Sequence, residues 1–243
     1  MFDIIYNGHT AREFGVAITT RPSIPAPEKR GEWVEVGGRS GSILVTDDTY
    51  ENIEIEIAMN FIAPRDRINQ QFRRVKQWIQ GVEHDVAEGI NELRFSDDRG
   101  VFYKVKYAQV TEFARRTWRG ADLVATFVCD PYTYLEEGLN EITMTAAKSN
   151  PGVNCCPIYH ITGGNNTAGV LTVNSNTFNF TGKTAGIYLD TENGRAYTAA
   201  GVKLDDTVFG DYSEIQLRHG DNTISVSPGA TFTVKVIPNW RVI

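Results

Sequence analysis

The sequence is poor in the residues that build common chemical sites. It has 3 cysteines and 4 histidines in 243 residues, and Cys129, Cys155 and Cys156 are too few and too irregularly placed for a disulfide framework. The adjacent pair lacks the two-residue spacer of redox and zinc motifs, so we expect buried, unreactive thiols at these positions. The histidines are far apart and lack metal-ligand spacing with cysteines or carboxylates, which disfavours zinc (His9, His84, His160 and His219).

Long apolar runs and an excess of positive charge are also missing. No segment approaches the length that crosses a bilayer, and the start of the chain lacks a cationic flank followed by an apolar core, so we expect no membrane insertion and no export signal. The formal net charge is -6. A chain without a broad cationic field is a poor candidate for specific nucleic-acid binding.

Charge is distributed unevenly along the chain. Residues 1–138 carry 17 Lys+Arg and 22 Asp+Glu, whereas residues 139–243 carry only 7 and 8 and are rich in Thr, Asn and Gly. The change follows the segment from Val128 to Gly138, which contains Pro131, a residue that cannot donate a ladder hydrogen bond. We therefore predict two domains, 1–138 and 139–243.

The first half shows the period of β-strands and one helix. Isoleucines alternate with polar residues in Tyr50 to Asn60, which predicts a half-buried strand, and a hairpin is expected around Ser96 to Gly100. Apolar residues from Ile68 to Ile79 recur at helical spacing, so a helix is predicted from Pro64 to Gln80. Its opposite face is basic and is either a solvated face or a docking surface for an acidic partner (Arg65, Arg67, Arg73, Arg74 and Lys76).

The second half has no helical period. Short strands recur about every ten residues between turn signals, which favours an antiparallel β-sandwich. The predicted strands are 158–161, 169–173, 177–180, 186–190, 195–198, 214–217, 222–226 and 231–237. The fold class predicted for the whole chain is mainly β, a β-rich α+β protein.

Acidic and aromatic residues suggest two rival functions. Five aspartates could supply a glycosidase pair or calcium ligands, although most of them sit in predicted turns, where bonding to the backbone explains them (Asp190, Asp205, Asp206, Asp211 and Asp221). A carbohydrate-binding module would instead use exposed aromatic rings such as Tyr197, Tyr212 or Trp240. Arg115, Arg116 and Arg119 around Trp118 resemble a nucleic-acid patch, but flanking acids favour a hairpin tip.

Glycines are concentrated at one point of the first half. Gly37, Gly38 and Gly41 surround Arg39 between two short predicted strands, without the Lys-Ser/Thr ending of a phosphate loop. They indicate a hairpin turn. A second possibility is that Arg39 or the turn backbone packs against a neighbouring subunit, and these four residues are the candidate oligomer interface.

Several segments, in order along the chain, resemble the distal tail protein of long, flexible-tailed (siphovirus-type) bacteriophages or its prophage equivalent. They are Phe2 to Gly8 with Phe14 to Val16, Val36 to Leu44, Tyr50 with the alternating isoleucines, Leu93 to Asp98, Phe127 to Tyr132, Cys156 to Gly163, Ile187 to Asp190 and Ile237 to Arg241. The resemblance covers nearly the whole chain. None of these segments is an active-site signature.

The resemblance implies a structural virion protein of the phage tail tip, made in the host cytoplasm. It implies an N-terminal ring-forming domain that caps the tail tube and a C-terminal galectin-like β-sandwich. Six copies would form a baseplate hub with a channel for DNA, and the partners would be the tail tube protein, the tail-associated baseplate or fibre protein and the tape measure protein. No cofactor, metal or enzymatic activity is expected, and the lectin and then the glycan hydrolase are the alternatives.

Overall fold

The computed structural model describes residues 2–38, 40–80, 91–143 and 148–243. They fold into two compact units, one formed by Met1–Thr133 with Ile243 and the other by Tyr134–Val242. The composition boundary predicted after residue 138 falls within a 3-10 turn of the second unit, Glu136–Leu139. The two units are described separately below.

The first unit is a sheet with one helix. Its strands are β1 (Ile4–Tyr6), β2 (His9–Thr10), β3 (Val16–Ile18), β4 (Lys29–Glu35), β5 (Ser42–Tyr50), β6 (Ile53–Ile62), β7 (Asn91–Phe95), β8 (Asp98–Arg115) and β9 (Gly120–Leu135), with helix α1 at Ile68–Gln80. The main sheet has the order β2–β1–β7–β8–β9–β6–β3, and β4 and β5 pair in a sheet of their own. A 3-10 turn, Ala11–Phe14, links β2 to β3.

Strand β6 has the alternation that its sequence predicts. The side chains of Ile53, Ile55, Ile57, Met59 and Phe61 are buried, and the residues between them are more exposed. The strand pairs antiparallel with β9 from Ile53↔Cys129 to Ile62↔Gly120. This regular register places one apolar face of the sheet in the core.

Helix α1 covers that core with the apolar stripe that the sequence predicts. Ile68, Val75, Trp78 and Ile79 are buried. Trp78 stacks on Phe14 with ring centroids 4.7 Å apart, and Phe72 stacks on Phe113 at 3.9 Å. The helix begins at Ile68 rather than at Pro64, because residues 65–67 form a turn closed by a hydrogen bond from the Arg67 amide to the Pro64 carbonyl. Gly81, expected to end the helix, lies outside the described residues.

Strand β9 runs through the proline of the segment that separates the two predicted domains. Pro131 lies inside the strand, which runs on to Leu135. Pro131 cannot donate a ladder hydrogen bond, yet the extended backbone continues through it. The registered pairing with β6 does end at Cys129, two residues before the proline, so no bond from β6 to Pro131 is needed.

The second unit contains two larger antiparallel sheets. Its strands are β10 (Ile142–Thr143), β11 (Lys148–Asn150), β12 (Ile158–Gly163), β13 (Ala168–Val173), β14 (Asn176–Thr181), β15 (Ile187–Asp190), β16 (Arg195–Tyr197), β17 (Val208–Phe209), β18 (Gly220–Asn222), β19 (Ile224–Ser227), β20 (Phe232–Ile237) and β21 (Arg241–Val242). One sheet has the order β10–β20–β12–β15–β16 and the other β17–β14–β13–β19, while β11 pairs with β18.

A single core lies between these sheets. Tyr159 and Ile161 from one sheet and Leu171, Phe178 and Phe180 from the other are buried in the same cluster. The arrangement agrees with the mainly β fold class predicted from the sequence. The strand predicted at residues 214–217 was wrong: this segment forms turns, and Leu217 makes an isolated bridge to Cys155.

The second unit is closed by contacts between its first and last residues. The Leu135 amide donates to the Trp240 carbonyl at 2.9 Å, and the Asn239 amide donates to the Gly138 carbonyl at 2.8 Å. Gly138 is required here, since a Cβ at this position would collide with the Trp240 backbone. The two ends of the unit are therefore held side by side.

Candidate interaction surface

Strands β4 and β5 form a hairpin that, among the described residues, pairs with no strand of the main sheet. They pair from Lys29↔Tyr50 to Glu35↔Ser42, with an irregularity between Lys29 and Gly31. A Cβ on Gly31 would lie 2.7 Å from the Val45 carbonyl oxygen, so glycine permits the close approach of the strands. At the base of the hairpin the Arg30 guanidinium donates to both Glu51 carboxylate oxygens, at 2.8 and 3.1 Å.

The candidate interface glycines lie at the tip of this hairpin. Gly38 and Gly41 have φ values of 82° and 86°, which the sequence signal for a turn predicts. Apart from the glycines' own chain neighbours, no described atom lies within 4 Å of a Cβ built on Gly37, Gly38 or Gly41, so the described residues leave the tip open. Arg39, the fourth candidate, lies outside the described residues, and its role stays a prediction.

Both faces of the hairpin carry exposed apolar side chains. Trp33 pairs with Leu44 on one face, whereas Val34 pairs with Ile43 and Glu32 with Val45 on the other. The exposed fraction is 68% for Trp33 and 57% for Val45. Because residues of the same β-branched and aromatic types are buried elsewhere in this unit, their exposure here makes the hairpin a candidate interaction surface.

A second surface is a pocket of about 480 Å³ beside helix α1. Residues from the 3-10 turn, the end of β6 and the helix line it, namely Arg12, Glu13, Gly15, Ile62, Ala63, Pro64, Arg67, Gln70, Gln71 and Arg74. Its shape is fixed by hydrogen bonds across the chain, because the Gln71 side-chain amide donates to the Phe14 carbonyl and Arg74 donates to the Glu13 carbonyl. Sequence reasoning missed this pocket, although it singled out the basic helix face that forms one wall.

The pocket is electrostatically positive. Its one acid, Glu13, is held by His9 and Thr10, whose hydrogen bonds lower the pKa of that carboxyl group. Arg12 is engaged by Asp3 at 3.3 Å. No carboxylate in the described part of the chain pairs with Arg67 or Arg74, both of which are exposed. The pocket therefore presents two arginines that have no acidic partner among the described residues, beside the exposed Ile62.

The β8–β9 hairpin carries the cluster of arginines around Trp118 at its tip. Arg116 forms an ion pair with Asp122, and the Arg119 guanidinium lies 5.6 Å from the centroid of the Trp118 ring. Arg115 donates to the Trp118 carbonyl at 3.2 Å. These contacts are internal to the tip, which agrees with the hairpin interpretation of this sequence.

The structure gives the cysteines and histidines local structural roles. Burial raises the pKa of the Cys129 and Cys155 thiols to about 12, so neither is a nucleophile near neutral pH. The expectation of a buried thiol was wrong for Cys156, which is half-buried. His9 lies beside Glu13, and His219 lies 2.6 Å from the Gly152 carbonyl oxygen. His84 lies outside the described residues, and among the described residues no three of these side chains and carboxylates converge on a metal position.

Two of the five candidate aspartates, Asp190 and Asp211, accept hydrogen bonds from the turns that follow them. The buried Asp190 accepts hydrogen bonds from the amides of Glu192 and Asn193 and from the Arg195 guanidinium. Asp211 accepts from the amide and hydroxyl of Ser213, which lower its pKa. Asp206 is exposed, Asp221 is an exposed residue of β18, and the Asp205 side chain lies outside the description. Hydrogen bonds from neighbouring backbone amides therefore explain Asp190 and Asp211 without a catalytic or metal-binding role.

The three aromatic residues considered for sugar binding are engaged within the second unit. Trp240 is buried in its core. Tyr212 lies against Phe178 with centroids 4.9 Å apart, and Tyr197 stacks on Tyr188 at 5.5 Å and carries the Arg195 guanidinium over its ring. They do not converge on one sheet face as a row of open rings. This geometry does not favour the lectin alternative.

Searches against family models and against curated proteins found no match. No helix in the described part of the chain has the length and hydropathy needed to span a bilayer. A solved structure does match, that of the SPP1 Dit (gp 19.1) protein, described as a paradigm of the hub adsorption apparatus in Gram-positive infecting phages. The match covers 97% of this chain and 98% of that chain, with a TM-score of 0.64 and 12% sequence identity. The resemblance predicted from the sequence is thus confirmed at the level of the fold, which this chain shares with a phage distal tail protein over nearly its full length.

Proposed function

We propose that this protein is a structural hub at the distal end of a phage tail. The observation that carries the proposal is the full-length likeness to SPP1 Dit, which extends through both units rather than through one common domain. Because a shared fold does not fix function by itself, the exposed β4–β5 hairpin is the second support: it gives the first unit a surface made for association. A virion location follows from this role.

In this proposal six copies of the chain form a ring, and they are joined through the first unit. It would connect the tail tube to the tail-associated baseplate or fibre protein and leave a channel for DNA, beside the tape measure protein. Six chains of net charge -6 carry about -36 formal charges, and an acidic inner wall would repel DNA phosphates in transit. In this proposal the chain needs no catalytic residue or cofactor, and its second unit is a galectin-like sandwich.

The mass of the purified protein in solution tests the ring. Light scattering should give about 163 kDa, six times the chain mass of 27.1 kDa, and negative-stain images should show closed particles with a central hole. A protein that stays at the mass of one chain at high concentration, and also in the presence of the tail tube protein, would refute the ring.

The predicted interface at the hairpin tip has a separate test. Arg39→Glu should weaken ring formation and leave the thermal unfolding of the monomer unchanged, because the tip contributes nothing to the described core. Glu35→Arg is a control of opposite charge change at the same end of the hairpin. Equal assembly of wild type and Arg39→Glu would remove Arg39 from the interface without excluding the ring.

A further inference from the structure

The basic pocket and the exposed hairpin have complementary chemistry. The pocket offers Arg67 and Arg74 together with the exposed Ile62 at its rim. One face of the hairpin offers Glu32 together with Val34, Ile43 and Val45. No cation in the described part of the chain pairs with Glu32. The hairpin thus presents one carboxylate within an apolar patch, and the pocket presents two arginines beside an apolar residue. The two surfaces are complementary in charge and in apolar character.

We propose that the face of the hairpin that carries Glu32 docks into the Arg67–Arg74 pocket of a second copy of this chain. The inference rests on the proposed ring and specifies its contact. The Glu32 carboxylate meets the two guanidinium groups, and Val34, Ile43 and Val45 cover Ile62. Arginine is suited to this role because its planar group binds carboxylates with two parallel hydrogen bonds.

The arrangement of these surfaces determines the kind of assembly. The hairpin and the pocket are different surfaces of one chain, so each copy donates a hairpin to one neighbour and accepts a hairpin from another. Such a head-to-tail contact closes into a ring when the rotation between copies is right, and it continues as a filament when it is not. A partner with an acidic segment of another sequence is the competing occupant, and it would leave self-assembly independent of the pocket.

Charge reversal tests the pairing in the full-length protein. Glu32→Arg and the double variant Arg67→Glu/Arg74→Glu should each raise the concentration needed for assembly about tenfold or more, since each places like charges together. The matched control is Arg73→Glu/Lys76→Glu, which makes the same charge change on exposed residues of the same helix that do not line the pocket. The control should assemble as the wild type does.

Rescue is the decisive part of the experiment. An equimolar mixture of the two defective variants should recover assembly, because reversed and native contacts alternate around the oligomer. The triple variant Glu32→Arg/Arg67→Glu/Arg74→Glu should recover it in a single chain. A merely unfolded variant would not be rescued by a second one.

Each failure has a distinct meaning. If the wild type assembles and Arg67→Glu/Arg74→Glu assembles equally well, the pairing is wrong and the proposed ring stands. Loss of assembly without recovery in the mixture or in the triple variant also overturns the pairing. A wild type that never assembles, even with the tail tube protein, overturns the proposed ring together with its contact.

Discussion

Only Glu51 and Asn52 separate strands β5 and β6, yet the two segments use their apolar residues in opposite ways. Strand β6 buries every second side chain in the core of the first unit. The β4–β5 hairpin leaves Trp33, Val34 and Val45 in solvent, and it pairs with no other strand in the part of the chain that the structure describes. Core strands lower the free energy of the monomer, whereas an exposed hairpin can lower only the free energy of an assembly.

Two tryptophans give the sharpest test of this comparison. Trp78→Ala should cost about 3 to 5 kcal/mol of unfolding free energy, because it opens a cavity in the core and breaks the hydrogen bond from the Trp78 indole to the Tyr6 carbonyl. Trp33→Ala should cost the monomer less than about 0.5 kcal/mol and reduce assembly instead. Chemical denaturation gives the first quantity and light scattering the second. A loss of similar size at both positions would contradict the division between core and hairpin.

A matched pair of isoleucines tests the comparison on the two neighbouring segments themselves. Ile57 is fully buried in β6, and Ile57→Ala should cost about 2 to 5 kcal/mol. Ile43 is 39% exposed in β5, and Ile43→Ala should cost less than about 1 kcal/mol. Thermal unfolding of the two variants at low protein concentration measures the difference, with Ile→Val changes as the conservative controls.

Alkaline pH should act on the core and not on the hairpin. Burial raises the pKa of Tyr6 to about 12 from 10.0, so the folded state holds this proton more tightly than the unfolded state does. The stabilisation is complete below pH 10 and is lost as the pH rises from 10 towards 12. Cys129 adds the same dependence from pH 9 towards 12.

In Tyr6→Phe the free energy of unfolding should therefore fall less steeply with pH above pH 10. In Cys129→Ala it should fall less steeply between pH 9 and pH 10, where the decline begins. Denaturation curves at stepwise pH values measure both slopes. Trp33→Phe, in the hairpin, removes no titratable group and is the control, which should leave the slope unchanged. Identical slopes in all four proteins would show that burial of these groups does not control the alkaline limb.

The smallest effect is expected at the base of the hairpin. Glu51→Gln breaks the exposed two-bond ion pair with Arg30 and should cost less than about 1 kcal/mol, since water screens both partners. Circular dichroism and assembly should remain as in the wild type. A large loss of assembly would mean that the ion pair sets the direction of the hairpin and not only its local stability.

Sequence reasoning succeeded where one face is buried by regular secondary structure. The alternation in β6 and the helical spacing of Ile68, Val75 and Trp78 are local patterns, and the core enforces them. The strand expected at residues 214–217 failed because apolar spacing alone does not provide a pairing partner.

The candidate interaction surfaces could be predicted only in part from the sequence. The glycines predicted the hairpin turn, and the absence of alternation in Trp33-Val34-Glu35-Val36 is a signal that this segment lacks one buried face. The pocket needs Arg12 and Glu13 of the 3-10 turn beside Arg67, which precedes the helix, and Arg74 of the helix. Such long-range proximity leaves no periodic signal, so the basic helix face could be predicted but its pocket could not.

The hydrogen bonds that hold Leu135 beside Trp240 and Gly138 beside Asn239 also affect how such a gene can change. When the first and last residues of a unit are hydrogen-bonded to each other, the unit can be exchanged for another or enlarged by an insertion without a change in the position of those residues. Recombination at the Gly138 and Trp240 codons would replace the residues of the second unit and its surface, and it would retain the segment before Gly138. The collision that a side chain at Gly138 would cause makes this glycine the residue that any exchanged module has to keep.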